Sequence, residues 1–172
     1  MKILKYSIIL IYSFFLFTNS NAFLDKDNKG AQSTGREDLS FLEAKNSNFK
    51  KGKDSLKQAI KYNKKNKLKK SNKQLSKAIN YFVSAYEEEP NNIEVLNYLG
   101  LVYYMVGDII MSEIYYQEAL LINPNNNLIN QKLGELYFNT ERIDLAREKL
   151  EMLSGCRCEE YSLLKKVIAG KN

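Results

Sequence analysis

Hydrophobic residues recur every three or four positions over most of the C-terminal half of the chain. This spacing places them on one face of an α-helix, whereas a half-buried strand would alternate apolar and polar residues. The pattern predicts a series of amphipathic helices, and no segment has the clear alternation of a strand. The inward positions of four predicted helices are Ile93, Leu96, Leu99 and Tyr103; Ile109, Ser112, Tyr116, Ala119 and Leu120; Leu133, Leu136 and Tyr137; and Ile143, Ala146, Leu150 and Leu153.

The same residue types also return at a fixed distance of 34 positions, as Gly100 and Gly134 do. A stride of about 20 to 50 residues is typical of repeat architectures, in which each repeat is one supersecondary unit. The stride therefore predicts pairs of helices laid side by side. Further pairs with this separation are Leu99 and Leu133, Tyr103 and Tyr137, Ser112 and Ala146, Phe82 and Tyr116, Ala85 and Ala119, and Pro90 and Pro124.

The repeated pattern resembles the tetratricopeptide repeat family. The matching residues are Leu96, Leu99, Gly100, Tyr103, Gly107, Asp108, Ser112, Tyr116, Ala119 and Pro124 in one unit, and Leu133, Gly134, Tyr137, Ala146 and Leu150 in the next. The resemblance implies an all-α fold in which antiparallel helix hairpins stack as a short α-solenoid with a C-terminal capping helix. Glycines and small residues at these places let two backbones approach closely, and a proline such as Pro124 ends a helix because it lacks an N–H.

The stride sets the predicted domain boundaries. A repeat domain is expected over residues 59–172, with a degenerate unit at about 59–92 and two good units at about 93–126 and 127–158. A capping helix follows at 159–169, and a Lys-rich helical arm covers 41–73. Stacked units need neighbours to bury their apolar faces, and about three are needed for stability.

The degenerate unit departs from the pattern in its first helix. Asn66 stands 34 positions before Gly100, where the pattern has a glycine. Its second helix, from about residue 74 to 89, is clear, and a long helix is possible at about 40–65. A weaker similarity lies upstream, where Gly52 and Ala59 are compared loosely with the glycine and alanine at positions 107 and 119.

The N-terminus has the features of a secretory signal. Two lysines in residues 1–5 precede an uncharged apolar run over 6–17, and Ser20 and Ala22 provide small residues for a cleavage site. The run has about 12 residues, whereas a spanning helix needs about 20. We therefore expect cleavage after Ala22, a flexible leader over 23–40 and a periplasmic or otherwise exported protein; the alternative is a buried N-terminal helix.

Charge is concentrated in one segment of the chain. The whole sequence has 26 Lys and Arg against 20 Asp and Glu, and residues 45–80 hold 13 lysines with a single acidic residue, Asp54. Such a block could bind an anionic surface such as lipid head groups. The other interpretation is a solvated helix face that keeps the protein soluble.

Composition argues against an enzyme. The chain has no His, which is the commonest general base and metal ligand. No nucleophile elbow or phosphate-binding glycine loop is visible. We therefore expect no catalysis, no cofactor, no metal site, no nucleic acid partner and no small-molecule substrate.

Cys156 and Cys158 leave several interpretations open. Export makes a disulfide between them plausible, although only in a strained turn. Packed thiols, a bond to another chain, or free thiols are alternatives, and a redox or metal role has less support because one residue separates the pair. The following Glu-Glu-Tyr run is similar to the end of small exported tetratricopeptide proteins.

In tetratricopeptide proteins the first helices of successive units line a concave groove that holds partner peptides. Carried over by position, the groove residues are Asn97, Leu101, Tyr104, Gln131, Glu135 and Phe138. All six lie off the inward stripes, and Tyr104 and Phe138 are proposed as stacked aromatic anchors. The other interpretation is that they pack against the N-terminal arm or one another. The Lys and Asn residues with which some family members hold terminal carboxylates are missing.

Together these observations predict a non-catalytic interaction scaffold of the bacterial cell envelope that binds a peptide or helix of an unknown envelope partner. The alternatives are attachment to an envelope or membrane surface through the Lys-rich arm, and a thiol-redox accessory role of Cys156 and Cys158.

Overall fold

The computed structural model describes the backbone of residues 35–170 and the side chains of residues 47–170. Within these residues all regular structure is helical, and it comprises seven helices. Their bounds are α1 (Gly35–Lys64), α2 (Leu68–Glu88), α3 (Ile93–Val106), α4 (Ile109–Ile122), α5 (Asn127–Asn139), α6 (Ile143–Met152) and α7 (Glu159–Ala169).

Neighbouring helices pair as hairpins joined by short turns. The pairs are α1 with α2, α3 with α4, and α5 with α6. Consecutive hairpins contact each other through α2 and α3 and through α4 and α5, while α7 packs on α5 and α6. The predicted fold class is therefore confirmed: the chain is an all-α stack of helix hairpins with a capping helix at its C-terminal end.

Two groups of buried side chains hold the stack together. The first joins α1 and α2 to α3 through residues such as Leu75, Phe82 and Leu99. The second joins α3 to the later helices through residues such as Leu96 and Leu133. Because α3 contributes to both groups, burial of apolar surface links the first hairpin to the rest of the molecule.

Side-chain caps recur with the 34-residue stride. Asn92 precedes α3 and Asn126 precedes α5, and the side-chain oxygen of each accepts a backbone N–H bond of the first turn at 3.0 Å. Asp108 caps α4 by accepting the N–H of Met111 at 3.1 Å. These bonds satisfy donors that the start of a helix leaves without intrahelical partners.

The turn inside each hairpin contains one residue in the left-handed backbone region. Gly107 has φ 86°, Glu141 has φ 62° and Asn66 has φ 54°. Gly107 and Glu141 are 34 positions apart, so the turn geometry repeats while the residue type does not. Only glycine adopts this region without steric cost.

Between its glycine contact and its connecting turn, the first hairpin is about two helical turns longer than the second. Helix α2 has 21 residues and α4 has 14. Phe82 and Tyr116 keep the stride of 34, but Gly52 lies against Phe82 in the way that Gly100 lies against Tyr116. Gly52 precedes Gly100 by 48 positions instead of 34. The difference corresponds to about two additional helical turns in each of the two helices of the first hairpin.

The predicted register of the unit at 59–92 is therefore wrong in its first helix. Asn66 lies in the turn after α1 and has no place equivalent to Gly100. The comparison of Gly52 with Gly107 is also wrong, because Gly52 takes the place of Gly100. A constant stride assumes helices of constant length, and the longer first hairpin breaks that assumption.

The predicted N-terminal segments are described only in part. The signal peptide at 1–22, its cleavage after Ala22 and most of the leader at 23–40 lie outside the described residues. Residues 35–40 of the predicted flexible leader are helical, because α1 begins at Gly35. The arm predicted at 41–73 consists of α1, the turn and the start of α2. Among the helices described, none has the length and apolar character needed to cross a membrane.

Candidate functional site

Most of the residues assigned to the repeat scaffold are buried between helices. Leu99, Ala119 and Ala146 are fully buried, as is Ser112, whose hydroxyl donates a hydrogen bond to the carbonyl oxygen of Gly100 at 2.8 Å. The others assigned to the scaffold are Tyr103, Tyr116, Gly134 and Tyr137, which are buried or partly buried, and Pro124, which is exposed after α4.

A small surface cleft, with room of about 80 Å³, lies between α3 and α5. Helix α3 contributes Leu101 and Tyr104, and the ring of Tyr116 from α4 lies between the two helices. Helix α5 contributes Lys132, Glu135, Leu136 and Asn139. The cleft thus combines apolar walls with a small number of polar groups, as binding sites for ligands usually do.

The polar groups of the cleft are paired with one another. Glu135 accepts a hydrogen bond from Nε2 of Gln131 at 2.7 Å and forms an ion pair with Lys132 at 3.1 Å. Nδ2 of Asn139 donates to the hydroxyl of Tyr104 at 2.8 Å across the two helices. The one lysine and the one glutamate that line the cleft therefore neutralise each other.

The hydroxyl of Tyr116 stays protonated at physiological pH. Burial raises the pKa of Tyr116, and the negative charge of Glu135 and the neighbouring Tyr104 raise it further. The neutral ring is therefore packed between the helices and forms the floor of the cleft.

The six residues predicted for the groove do not share one environment. Leu101, Tyr104 and Glu135 line the cleft. Asn97 is half-buried and is not among the cleft residues. Gln131 and Phe138 are 3% and 6% exposed, and Phe138 packs in the second core group. Since Tyr104 is 36% exposed, it alone of the two proposed aromatic anchors offers substantial surface.

The sequence analysis missed two cleft residues of α5, Lys132 and Asn139, while Leu136, which it placed on the inward stripe, is buried at the floor of the cleft. The transfer by position assumed that α3 and α5 turn equivalent faces toward a partner. A cleft between two neighbouring helices is instead lined by opposite sides of them. The i, i+3, i+4 and i+7 spacing of residues 132, 135, 136 and 139 marks one side of a helix and could have indicated this face.

The two cysteines are joined to each other in the structure, with their Cα atoms 5.2 Å apart. The bond lies in the turn between α6 and α7 and spans a single intervening residue, Arg157. Among the side chains described, no group of three or more His, Cys, Asp or Glu is placed to hold a metal ion.

Comparison of the sequence with protein-family models identifies one match. The model of a family described as "Uncharacterized protein conserved in bacteria (DUF2225)" matches residues 37–153. The chain belongs to this family. The match covers α1 from its third residue to the end of α6, so it includes all three hairpins. No curated protein matches the chain.

A solved structure shows the same type of fold. The first tetratricopeptide repeat domain of Spaghetti (RPAP3), bound to the HSP90 peptide SRMEEVD, superposes with a TM-score of 0.50 at 17% sequence identity. The superposition covers 72% of this chain and 94% of that domain. At this identity the likeness establishes the arrangement of helices.

Proposed function

We propose that this chain is a non-catalytic scaffold that binds a peptide or helix of a partner protein in the cleft between α3 and α5. One observation carries the proposal: the exposed ring of Tyr104 and the half-buried Leu101 border a small cleft whose floor is formed by the buried side chains of Leu136 and Tyr116, and Asn139 is hydrogen-bonded to Tyr104 across it. Apolar side chains of a partner would fill such a cleft, and the rim groups would bond its polar atoms.

The charges of the cleft favour a partner segment without a concentrated negative charge. Lys132 is its only cationic lining residue, and its ammonium group is paired with Glu135. A terminal carboxylate would have to compete for Lys132 with a carboxylate already in place. We therefore propose an internal, mainly apolar segment as the ligand.

The solved neighbour supports the general mode of binding. That tetratricopeptide domain is bound to the seven-residue HSP90 peptide SRMEEVD, so a helical stack of this type can hold a short peptide. We propose that the repeats of this chain are of the tetratricopeptide type and likewise hold a peptide. The missing Lys and Asn carboxylate-binding pattern means that the recognised residues differ.

We further propose that the scaffold works in the bacterial cell envelope. The support is the order of positive, apolar and small residues over 1–22, together with membership of a family described from bacteria. Mass spectrometry of the protein isolated from its native cells tests this point. A mature N-terminus at Phe23 is expected, whereas an intact Met1 in a cytoplasmic fraction would contradict export.

The cleft assignment is tested by cross-linking followed by a binding measurement. A photoreactive amino acid is placed in the native cell at Leu101, inside the cleft, or at Leu121, which is 84% exposed outside it. The segment captured from position 101 but not from 121 is identified, synthesised and titrated into the purified chain by calorimetry.

Substitutions then separate the cleft from the rest of the surface. We expect Tyr104→Ala to weaken binding of that peptide at least about 10-fold, since aromatic anchors carry much of the binding energy. The matched control is Tyr161→Ala on α7, which should change affinity less than about twofold. Equal affinity of the Tyr104 variant and the parent, with unchanged helicity, would exclude the cleft as the binding site.

A further inference from the structure

The longer first hairpin projects a lysine-rich end. We define the lysine tip as residues 57–73, which comprise the last two turns of α1, the connecting turn and the start of α2. It holds eight lysines and no acidic residue. Their positions are Lys57, Lys61, Lys64, Lys65, Lys67, Lys69, Lys70 and Lys73, and all are exposed.

The lysine tip is a well-formed part of the hairpin. The hydroxyl of Ser71 donates to the carbonyl oxygen of Ala59 at 2.9 Å, as Ser112 donates to Gly100 at 2.8 Å in the next hairpin. Ser71 and Ala59 are both buried between the two helices. The lysines are therefore displayed on a packed helical support rather than on an extended loop.

The positive charge of the lysine tip is not balanced by its surroundings. Among the side chains that the structure describes, none of the eight ammonium groups forms an ion pair with a carboxylate. The nearest aromatic contact is Lys70, whose Nζ lies 5.9 Å from the ring centre of Tyr62. Eight like charges on a short hairpin repel one another, so an anionic partner would relieve that repulsion.

Exposed apolar side chains accompany the lysines. Leu68, the first residue of α2, is 61% exposed beside the connecting turn, and Ile60 is 37% exposed on α1. Ile60 forms a shallow depression with Lys57, Lys61, Lys64 and Lys65. Basic residues around exposed leucine and isoleucine are typical of surfaces that enter the head-group region of a bilayer.

We propose that the lysine tip docks on an anionic phospholipid surface, with Leu68 and Ile60 entering the interface and the lysines contacting lipid phosphates. A bilayer fits better than nucleic acid, because the tip has no arginine and Tyr62 is its only aromatic residue. Bases are usually held by arginine planes and aromatic stacking, which exposed aliphatic side chains do not supply. This surface is separate from the cleft, so the inference stands independently of the proposed function.

Vesicle sedimentation tests the proposal on the full chain. Vesicles of phosphatidylcholine alone are compared with vesicles containing about one third phosphatidylglycerol, at low salt and at about 0.5 M salt. Every variant has the same N-terminus as the parent protein, so any contribution of the segment before α1 is common to all of them. We expect stronger binding to the anionic vesicles, lost at high salt because the screening length shortens to a few Å.

Three variants assign that binding to the lysine tip. Replacing Lys64, Lys65 and Lys67 together with glutamine should weaken binding to anionic vesicles about 100-fold, on the basis of the usual contribution of a lysine near such a surface. The control replaces Arg147, Lys165 and Lys166 with glutamine; these are exposed cations elsewhere on the molecule. The third variant is Leu68→Ser, which should weaken binding several-fold without changing the charge.

The outcomes are distinct. Loss in the Lys64, Lys65 and Lys67 variant and in Leu68→Ser, with the control unchanged, supports bilayer docking. Equal loss in the two charge variants refutes the assignment to the tip, and so does an absence of preference for anionic vesicles. Unchanged vesicle binding of Leu68→Ser overturns insertion into the bilayer. If that result is accompanied by tip-dependent binding of a DNA oligonucleotide, the lysines serve a soluble polyanion instead.

Discussion

At the scale of single residues, the helices meet at glycines that large side chains cover. A Cβ atom added to Gly52 or Gly100 would lie within 2.6 Å of the ring of Phe82 or Tyr116. One added to Gly134 would lie 2.6 Å from Leu164, a residue of α7. At the C-terminal end the covering residue is thus Leu164. The residue 34 positions after Tyr116 is Leu150, so the repeat distance alone would have indicated a different residue.

Gly100→Ala should destabilise the fold by about 1 to 3 kcal/mol, because the Tyr116 ring has to move to admit the methyl group. The better helix propensity of alanine offsets part of this loss. Urea unfolding followed by circular dichroism measures the change. Gly155→Ala is the matched control, since a Cβ there meets nothing within 4 Å. Equal stability of the two variants would show that the contact at Gly100 relaxes freely.

Glu141 adopts a backbone conformation that suits glycine better. Its φ of 62° places it in the left-handed region, where a side chain costs about 1 to 2 kcal/mol. We expect Glu141→Gly to raise the unfolding free energy by about 1 kcal/mol after the larger unfolded-state entropy of glycine is included. The control Glu148→Gly, inside α6, should lower it by a similar amount. A Glu141→Gly protein less stable than the parent would contradict this account.

At the scale of helices, tyrosines and acidic residues connect successive hairpins. The hydroxyl of Tyr86 on α2 donates to Glu118 on α4 at 2.6 Å. The rings of Tyr103 and Tyr115 stack with their centres 5.5 Å apart, joining α3 to α4 within the second hairpin. Burial, followed by the neighbouring phenols and Glu118, raises the pKa of Tyr115 to about 12.

This pKa predicts how stability changes in alkali. The folded pKa of Tyr115 lies above the ordinary tyrosine value of 10.0, so the unfolded chain loses this proton first. The contribution to stability is therefore complete below about pH 10 and is lost as the pH rises from about 10 toward 12. We expect the melting temperature to fall over this interval, and to fall less steeply in Tyr115→Phe. The control Tyr161→Phe should retain the slope of the parent, and identical slopes in all three proteins would contradict the assignment.

At the scale of the whole molecule, the stack has two unlike ends. One end is the long first hairpin with its lysine tip, and the other is α7, which lies on α5 and α6. Repeat stacks need such terminal elements because an inner repeat leaves its outer apolar face exposed. In this chain Leu164 of α7 is fully buried and provides that cover.

Leu164→Ala should lower the unfolding free energy by about 2 to 5 kcal/mol, because it leaves a cavity over Gly134. The neighbouring Leu163 is 41% exposed, and Leu163→Ala should cost less than about 1 kcal/mol. Thermal and urea unfolding compare the two. Similar losses in both variants would mean that α7 does not act as a cover for the last hairpin.

The cleft shows what the sequence could and could not predict of the site. The groove positions carried over from the tetratricopeptide family included Leu101, Tyr104 and Glu135. They could be found because helical spacing places them outside the core stripes. The transfer by position also selected Phe138, which the structure buries, and it missed Lys132 and Asn139. The side of α5 that faces α3 depends on how one hairpin is rotated against the next. The repeat distance in the sequence does not determine that rotation.

The sequence by itself determined the helices and the stacking of helix hairpins, because apolar spacing and the recurrence of glycines and small residues can be seen in the chain. It did not determine the length of the first hairpin, since the stride places Asn66 opposite Gly100 whereas the structure places it in the turn after α1. Only the tertiary structure decided that Gly52 meets Phe82 and that Leu164 covers Gly134. Both contacts join segments that are far apart in the chain. They are selected by the energy of side-chain packing, which cannot be derived from a local sequence pattern.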